Sequence, residues 1–322
     1  MKFFLKLLVL YSAIFFFSCA GDSASSGGNK IKDDFSYLSV TPLGRIEKIG
    51  NNSGKISFFS QVEGLNQGIS NSNVIICNSE KIFLVSHITA NDRLYVFDRN
   101  TKKTTSKELI YPKEIVGNEP SISALVWDES KKMLYAIIAS SPYINYANNF
   151  CYFIKINPNT LEISYEGLTI QQSASSTTFL NAGKLYSSLT DENAIEIDLD
   201  NNTSKTILFN NAKISFMKAA SFTNNTAYCL INRIDRSVAL AKINLIDNSF
   251  EDLLPGESFD LTNKTGNGFI NYSNNEYVCY LMKNNSYGLL KYNITNKKYT
   301  FLKLTSDNNL DEEFLIIDKI DN

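Results

Sequence analysis

One short unit recurs through this chain and constrains its fold more than any other feature. An apolar stretch ends in Asp or Asn, a few polar residues follow, and a second stretch runs back. The copies are Tyr95-Val96-Phe97-Asp98, Ile154-Lys155-Ile156-Asn157, Ile195-Glu196-Ile197-Asp198, Ala241-Lys242-Ile243-Asn244 and Leu290-Lys291-Tyr292-Asn293. A looser one is Ile46-Glu47-Lys48-Ile49-Gly50. Alternating polar and apolar residues broken by Asn, Asp, Ser and Gly mark short strands joined by turns. From Asp98 the unit returns at Asn157, Asp198, Asn244 and Asn293, at intervals of 59, 41, 46 and 49 residues. Regular spacing on this scale signals a repeat architecture.

Each interval holds two more strands upstream of the hairpin, such as Ala124–Trp127 before Met133–Ile138 and Gly268–Tyr272 before Tyr277–Met282. Four strands per repeat is the size of a β-propeller blade. The two ends of the chain complement each other. The first hairpin, near 45–59, has a single strand before it, around Phe35–Val40, and the chain closes on a lone strand, Glu313–Asp318. Pairing them completes a blade and removes the exposed sheet edges. The expectation is therefore an all-β domain over 35–322, a six-bladed propeller closed by its C-terminal strand. Seven blades, with a degenerate repeat between 99 and 157, is the alternative. The pattern resembles the YVTN/quinoprotein-like propellers of bacteria, a likeness of architecture only, since the Asp or Asn at each strand end is a turn residue.

Ahead of this domain, Lys2 precedes and Lys6 interrupts an apolar run from Phe3 to Phe17, the order of a secretory signal and too short for a spanning helix. Phe16-Phe17-Ser18-Cys19 then resembles the relaxed lipobox of bacterial, Bacteroidota-like lipoproteins. The resemblance implies a signal peptide over 1–18 and a palmitate-bearing lipid on Cys19. Gly21-Asp22-Ser23-Ala24-Ser25-Ser26-Gly27-Gly28 has the composition of a flexible tether, so 19–34 reads as a lipidated linker. The implied location is the outer membrane, with the membrane face left open.

Composition excludes several functions. The chain carries 31 Lys+Arg against 33 Asp+Glu with no basic block, which leaves no footprint for nucleic acid. A single histidine, His87, rules out a histidine-built zinc centre. Cys77, Cys151, Cys229 and Cys279 each sit in an apolar run without C-x-x-C spacing, and read as buried thiols. Lys264-Thr265-Gly266-Asn267-Gly268 lacks the order of a phosphate loop and reads as a connection between blades.

Candidate ligand-binding residues fall on the loops after the second strand of each repeat. Tyr143 and Tyr146 lie in the longest such loop and offer rigid aromatic contact with a polar tip. Arg233 and Arg236 present two guanidinium groups able to grip carboxylates or phosphates. His87 ends an apolar strand that leads toward the channel. No catalytic residue and no metal site is assigned. The leading function is a non-catalytic binding lipoprotein, with nutrient or iron-chelate capture beside a TonB-dependent transporter as the version the resemblance implies. One alternative is a lactonase-like hydrolase holding calcium through Glu119, Asn263 and Asn267. Another is a protein scaffold of the envelope.

Overall fold

A computed structural model describes residues 31–65, 68–69, 72–88, 91–141, 150–171, 175–189, 194–210, 216–233, 237–260, 266–305 and 314–321. Six four-stranded antiparallel sheets, the blades of a β-propeller, account for all its strands. Blade 2 runs from Ile75–Cys77, innermost, through Lys81–Ile88 and Asn91–Asp98 to Thr104–Glu108. Blades 3 to 6 repeat this order, with Asn118–Asp128, Ser175–Asn181, Phe216–Thr223 and Phe269–Asn271 innermost. Blade 1 takes Phe35–Val40, Arg45–Gly50 and Ile56–Gln61 from the start of the chain, and Leu315–Asp321 from its end as the innermost strand. Ring closure by the C-terminal strand follows the sequence expectation, and the described residues form six blades with no seventh. The long interval to Asn157 is filled by an inner strand of 11 residues and by the connections on either side of it.

The blades pack face to face, and strand periodicity shows how. On the third strand of blade 3, Cys151 and Phe153 join the core toward blade 4, while Tyr152, Ile154 and Ile156 join the core toward blade 2. Strands buried on both faces read as unbroken apolar runs. The outer strand of a blade is edge-exposed, and Thr203–Ile207 is exposed at four of five positions. Cys151, Cys229 and Cys279 lie in the seams between blades 3 and 4, 4 and 5, and 5 and 6, all as free thiols. Burial pushes the Cys151 and Cys279 thiols up to about 11.

The recurring Asp or Asn closes the turn between the third and fourth strands. Asp98 Oδ1 accepts the amides of Asn100 and Thr101, and Asn157, Asp198 and Asn293 do the same two and three residues on. Four residues after the Asx position, every blade adopts positive φ: Lys102, Leu161, Asn202, Asn248 and Lys297 at 50–58°, and Gly54 at 66°. Blade 1 has Gly50 where the others have Asp or Asn. Asp33 supplies the missing carboxylate from outside the turn, its Oδ1 accepting the Asn52 and Ser53 amides at 2.7 and 2.8 Å. A Cβ on Gly50 would lie 2.2 Å from Asp33 Oδ2, so the glycine makes room for the substitute. Burial of Asp33 raises its pKa, but hydrogen bonds from the Ser53 hydroxyl and from the Ser53 and Asn52 amides outweigh this and hold the carboxyl below its ordinary range.

The chain direction fixes two faces. Tight turns such as 78–80, 129–132 and 294–297 form one, the turn face, and the longer connections form the other, the loop face. Asp33 sits on the turn face.

Candidate binding site

All six inner strands contribute to one cavity of about 380 Å³ on the propeller axis. Its wall is apolar, built by Ile76, Val126, Phe179, Ala220, Phe269 and Ile316, and among the described residues no charged one lines it. Toward the loop face it ends at Gly266. That residue belongs to the connection entering blade 6, yet its amide donates to Asn73 Oδ1 of the segment leading into blade 2 (2.6 Å) and its carbonyl accepts Thr177 Oγ1 of blade 4 (3.1 Å). Blades 2, 4 and 6 alternate around the ring, so a backbone bonded to all three stands on the axis and floors the channel. The next glycine permits this crossing: a Cβ on Gly268 would meet the Lys218 carbonyl and the Tyr277 ring at 2.4 Å. The Gly-Asn-Gly stretch is thus a floor, a role its sequence did not disclose. Asn267, between the two glycines, lines the cavity, and its Oδ1 is buried without a hydrogen-bond partner.

The cavity opens on the turn face. Trp127, Leu180, Ser221 and Tyr272 stand at or just past the ends of their inner strands and form the mouth. Trp127 is held there by its neighbours. Asp128 ends the strand by accepting the Ser130 and Lys131 amides at 2.9 and 3.1 Å. The indole stacks on Phe83 of blade 2 at 5.8 Å and 16°, and its Nε1 donates to Glu129 Oε2 at 2.6 Å. Tyr272 is 62% exposed, stacks on Phe222 at 6.2 Å, and donates its hydroxyl to the Ser221 carbonyl. Cys77 also lines the wall and donates its thiol to the Ile317 carbonyl at 3.0 Å. Burial, with the Asp318 carboxylate adding and Arg99 opposing, pushes this thiol up to about 12.

A second concavity, of about 190 Å³, lies on the same face between blades 2 and 3. Its walls are Asn78, Glu80, Lys81, Glu129, Lys132 and Asn159. Trp127 lines both spaces, so the indole is the partition between an apolar cup and a polar groove.

The loop face is organised by charge. Asp92 is fully buried and accepts four hydrogen bonds: from His87 Nδ1 at 2.8 Å, the Ser121 hydroxyl at 3.2 Å, the Ile122 amide at 2.5 Å, and the Tyr111 hydroxyl. His87 and Asp92 face each other across the blade 2 hairpin. The carboxylate fixes the imidazole, whose side chain remains 32% exposed. Burial first, then the Asp92 charge, drives the Tyr111 phenol far above its usual range. Arg233 is engaged within its own neighbourhood. Its Nε and one terminal nitrogen meet Asp252 Oδ2 at 2.8 Å, and the guanidinium also donates to the Ser237 hydroxyl and the Glu257 and Leu254 carbonyls. A ligand-gripping role needs those donors free, and here they fasten the connection between blades 5 and 6. The structure therefore brings His87 to an ordered cluster but does not bring Arg233 and His87 together. Tyr143, Tyr146, Arg236, Asn263 and Cys19 lie outside the described residues. Among the described residues no group of three His, Cys, Asp or Glu is placed to hold a metal.

No family model matches the chain, and no curated protein does. Solved structures do. TolB from Acinetobacter baumannii aligns with a TM-score of 0.56 at 11% identity, over 87% of this chain and 65% of that one. The extracellular domain of the putative hybrid two-component system BT3049 from B. thetaiotaomicron aligns with a TM-score of 0.47 at 12% identity, over 86% of this chain and 36% of that one. This chain thus spans less than two thirds of the length of either. At such identities the likeness is one of fold, and the TolB alignment supports the propeller.

Proposed function

We propose that this protein is a non-catalytic binding module that seats the apolar part of its ligand in the axial cup, on a domain tethered to a bacterial envelope membrane through lipid on Cys19. The observation that carries this reading is the cup itself, an apolar concavity fed by all six inner strands and closed by Gly266. Its uncharged wall favours an apolar group over an anionic chelate, so nutrient capture in this reading concerns a ligand with an apolar part and not a ferric catecholate. The position of Asp33 supports the arrangement, because the chain joins the domain on the face where the cup opens.

Trp127 is the only tryptophan of the chain and stands at the mouth, so its fluorescence reports occupancy directly. Titration with p-cresol is expected to shift Trp127 emission in a saturable way, and Leu180→Glu, which places a carboxylate at the mouth, to abolish the response at temperatures where the variant is folded. An unsaturable response, or one unchanged in that variant, rejects the cup as the site. For the tether, Cys19→Ala is expected to move the protein from the membrane pellet to the soluble fraction.

A hydrolase is the second reading, favoured by the carboxylate-oriented, part-exposed imidazole of His87. Ester or lactone hydrolysis that His87→Gln abolishes would establish it. Activity unchanged in that variant would remove it.

A further inference from the structure

A third concavity, of about 440 Å³, lies away from the axis on the outer edge of blade 6. We infer that it is a second binding site, for a sugar acid, with the pyranose ring seated on Phe301 and its carboxylate on Lys303. The site is independent of the cup.

Its position follows from strand parity. In blade 6 the second strand is Glu276–Lys283, the third Ser286–Asn293 and the outer one Lys298–Lys303. Tyr299, Phe301 and Lys303 alternate with Thr300 and Leu302, so the first three share one face of the sheet. That face looks toward blade 5, because Tyr299 and Phe301 pack on the core that blades 5 and 6 share, whereas Leu302 packs on the core toward blade 1. The turn after Lys283 bounds the cavity at one end, with Asn284 and Ser286 in its wall.

Three observations name the ligand. The first is charge. Lys283 and Lys303 line the cavity, and among the described residues no carboxylate does. Lys283 is already neutralised, since its Nζ donates to Glu257 Oε2 and to the Tyr299 hydroxyl at 2.7 Å each. Lys303 has no partner among the described residues, so the cavity keeps one uncompensated positive charge. One ammonium matches one carboxylate, and a phosphate dianion would bring a charge too many. The second observation is the polar lining. The side chains of Asn284, Ser286 and Thr300 also lack partners among the described residues, and a primary amide and two hydroxyls each donate and accept. Sugar hydroxyls do both as well, whereas an aliphatic acid would use none of them. The third is Phe301. A Cβ on Gly288 of the neighbouring strand would stand 2.4 Å from Phe301 Cζ, so the ring lies against bare backbone and stays half-exposed in the cavity. The electron-rich face of such a ring suits the C–H face of a pyranose. Phe301 and Lys303 stand two residues apart on one face, about 7 Å along the strand, so one small ligand meets both. The volume lies within the range of small-molecule sites, roughly 300–1,000 Å³.

The test titrates the whole chain by calorimetry with methyl β-glucuronide, methyl β-glucoside, glucose 6-phosphate, acetate and acetyl-Glu-amide. The glucuronide is expected to bind about tenfold tighter than the glucoside, the margin of one charge-assisted hydrogen bond. Lys303→Gln, at an exposed position, is expected to keep Tm and to bring the two within about twofold of each other. Ser286→Ala is expected to weaken both about threefold with their ratio kept. Phe301→Leu, which retains an apolar side chain against Gly288, is expected to weaken both about fivefold at temperatures where the variant is folded. Saturating p-cresol is expected to leave the glucuronide isotherm unchanged, because the cup and this cavity share no lining residue. Equal affinity for glucuronide and glucoside, or a preference that survives Lys303→Gln, overturns the proposal, and so does silence from both sugars. Acetate or acetyl-Glu-amide as tight as the glucuronide overturns the sugar, in favour of a bare carboxylate or an acidic peptide. Glucose 6-phosphate tighter by tenfold overturns the carboxylate in favour of a phosphate. Displacement of the glucuronide by p-cresol overturns the second site and returns the ligand to the cup.

Discussion

The two faces of the ring use the same kinds of residue to opposite ends. On the loop face, charged groups are satisfied by one another: Asp92 gathers four donors, Arg233 meets Asp252 and two carbonyls, and Lys283 binds Glu257 and Tyr299 while lying over the Phe259 and Tyr299 rings. On the turn face the polar tips of Trp127 and Tyr272 are likewise taken, by Glu129 and the Ser221 carbonyl, but the ring faces and the aliphatic wall of the cup still line an open concavity. Charge density alone is therefore a poor guide to a binding site. A residue able to make five hydrogen bonds is informative only once one knows how many it already makes.

The comparison is easiest to break at Asp92. Replacing it by Ala leaves the Ile122 amide and the Tyr111 hydroxyl without their acceptor in a buried site, at a cost of about 3 kcal/mol. A fall in Tm of several degrees is expected, read by calorimetry, with p-cresol binding at the cup retained. The cup variant Leu180→Glu should show the converse, binding lost at temperatures where it is folded. If Asp92→Ala lost cup binding at temperatures where it is folded, the two faces would be coupled and the separation drawn here would fail.

Arg233→Ala is the next step down. Its guanidinium is part-exposed, so the effect is smaller, about 1–2 kcal/mol, and comes from the Leu254 and Glu257 carbonyls left without a donor. Chemical denaturation should show a lower midpoint with an unchanged slope. A midpoint equal to the native one would mean that the guanidinium is dispensable to the fold and open to a ligand role.

Much of the fold was legible because a propeller writes its period into the chain. The Asx residues at 98, 157, 198, 244 and 293 are required by turn hydrogen bonds that each blade makes for itself. The single strand at either end likewise implied its partner. The site was not legible, for two physical reasons. Channel residues are contributed a few per blade and come together only through ring closure, so Trp127, Leu180 and Asn267 have no common sequence signal. The floor depends on Gly266 reaching across to Asn73 and Thr177, contacts of 193 and 89 residues in separation. One signal was available: the only tryptophan lies at the end of an inner strand, where an exposed aromatic needs a reason. Arg233 misled in the opposite sense, since its exposed-looking loop carries the acceptors that occupy it.

The smallest expected effect tests whether the regularity of the turn face is chemical or merely positional. Blade 1 satisfies its turn amides with Asp33, twenty residues away from Ser53, while the other blades use a residue inside the turn. Asp33→Ala should lower Tm by a few degrees at neutral pH. The loss should vanish in acid, for a definite reason of sign. The folded-state pKa of Asp33 lies below the unfolded value, which is near ~3.9. Its contribution is therefore full well above that value and disappears as pH falls through the folded one. Adding Gly50→Asp to Asp33→Ala places the carboxylate where the other blades have it, in space the Asp33 side chain has vacated once the Ser53 hydroxyl, 2.5 Å from that Cβ, rotates aside. Gly50 does not have positive φ, so an aspartate fits its backbone. Because the turn amides of Asn52 and Ser53 stand two and three residues on, the double variant should recover most of the lost Tm. Gly50→Asp alone should destabilise, since two carboxylates then compete for one site. Recovery in the double variant and loss in both singles is the pattern of one turn that needs one acceptor, whichever part of the chain supplies it.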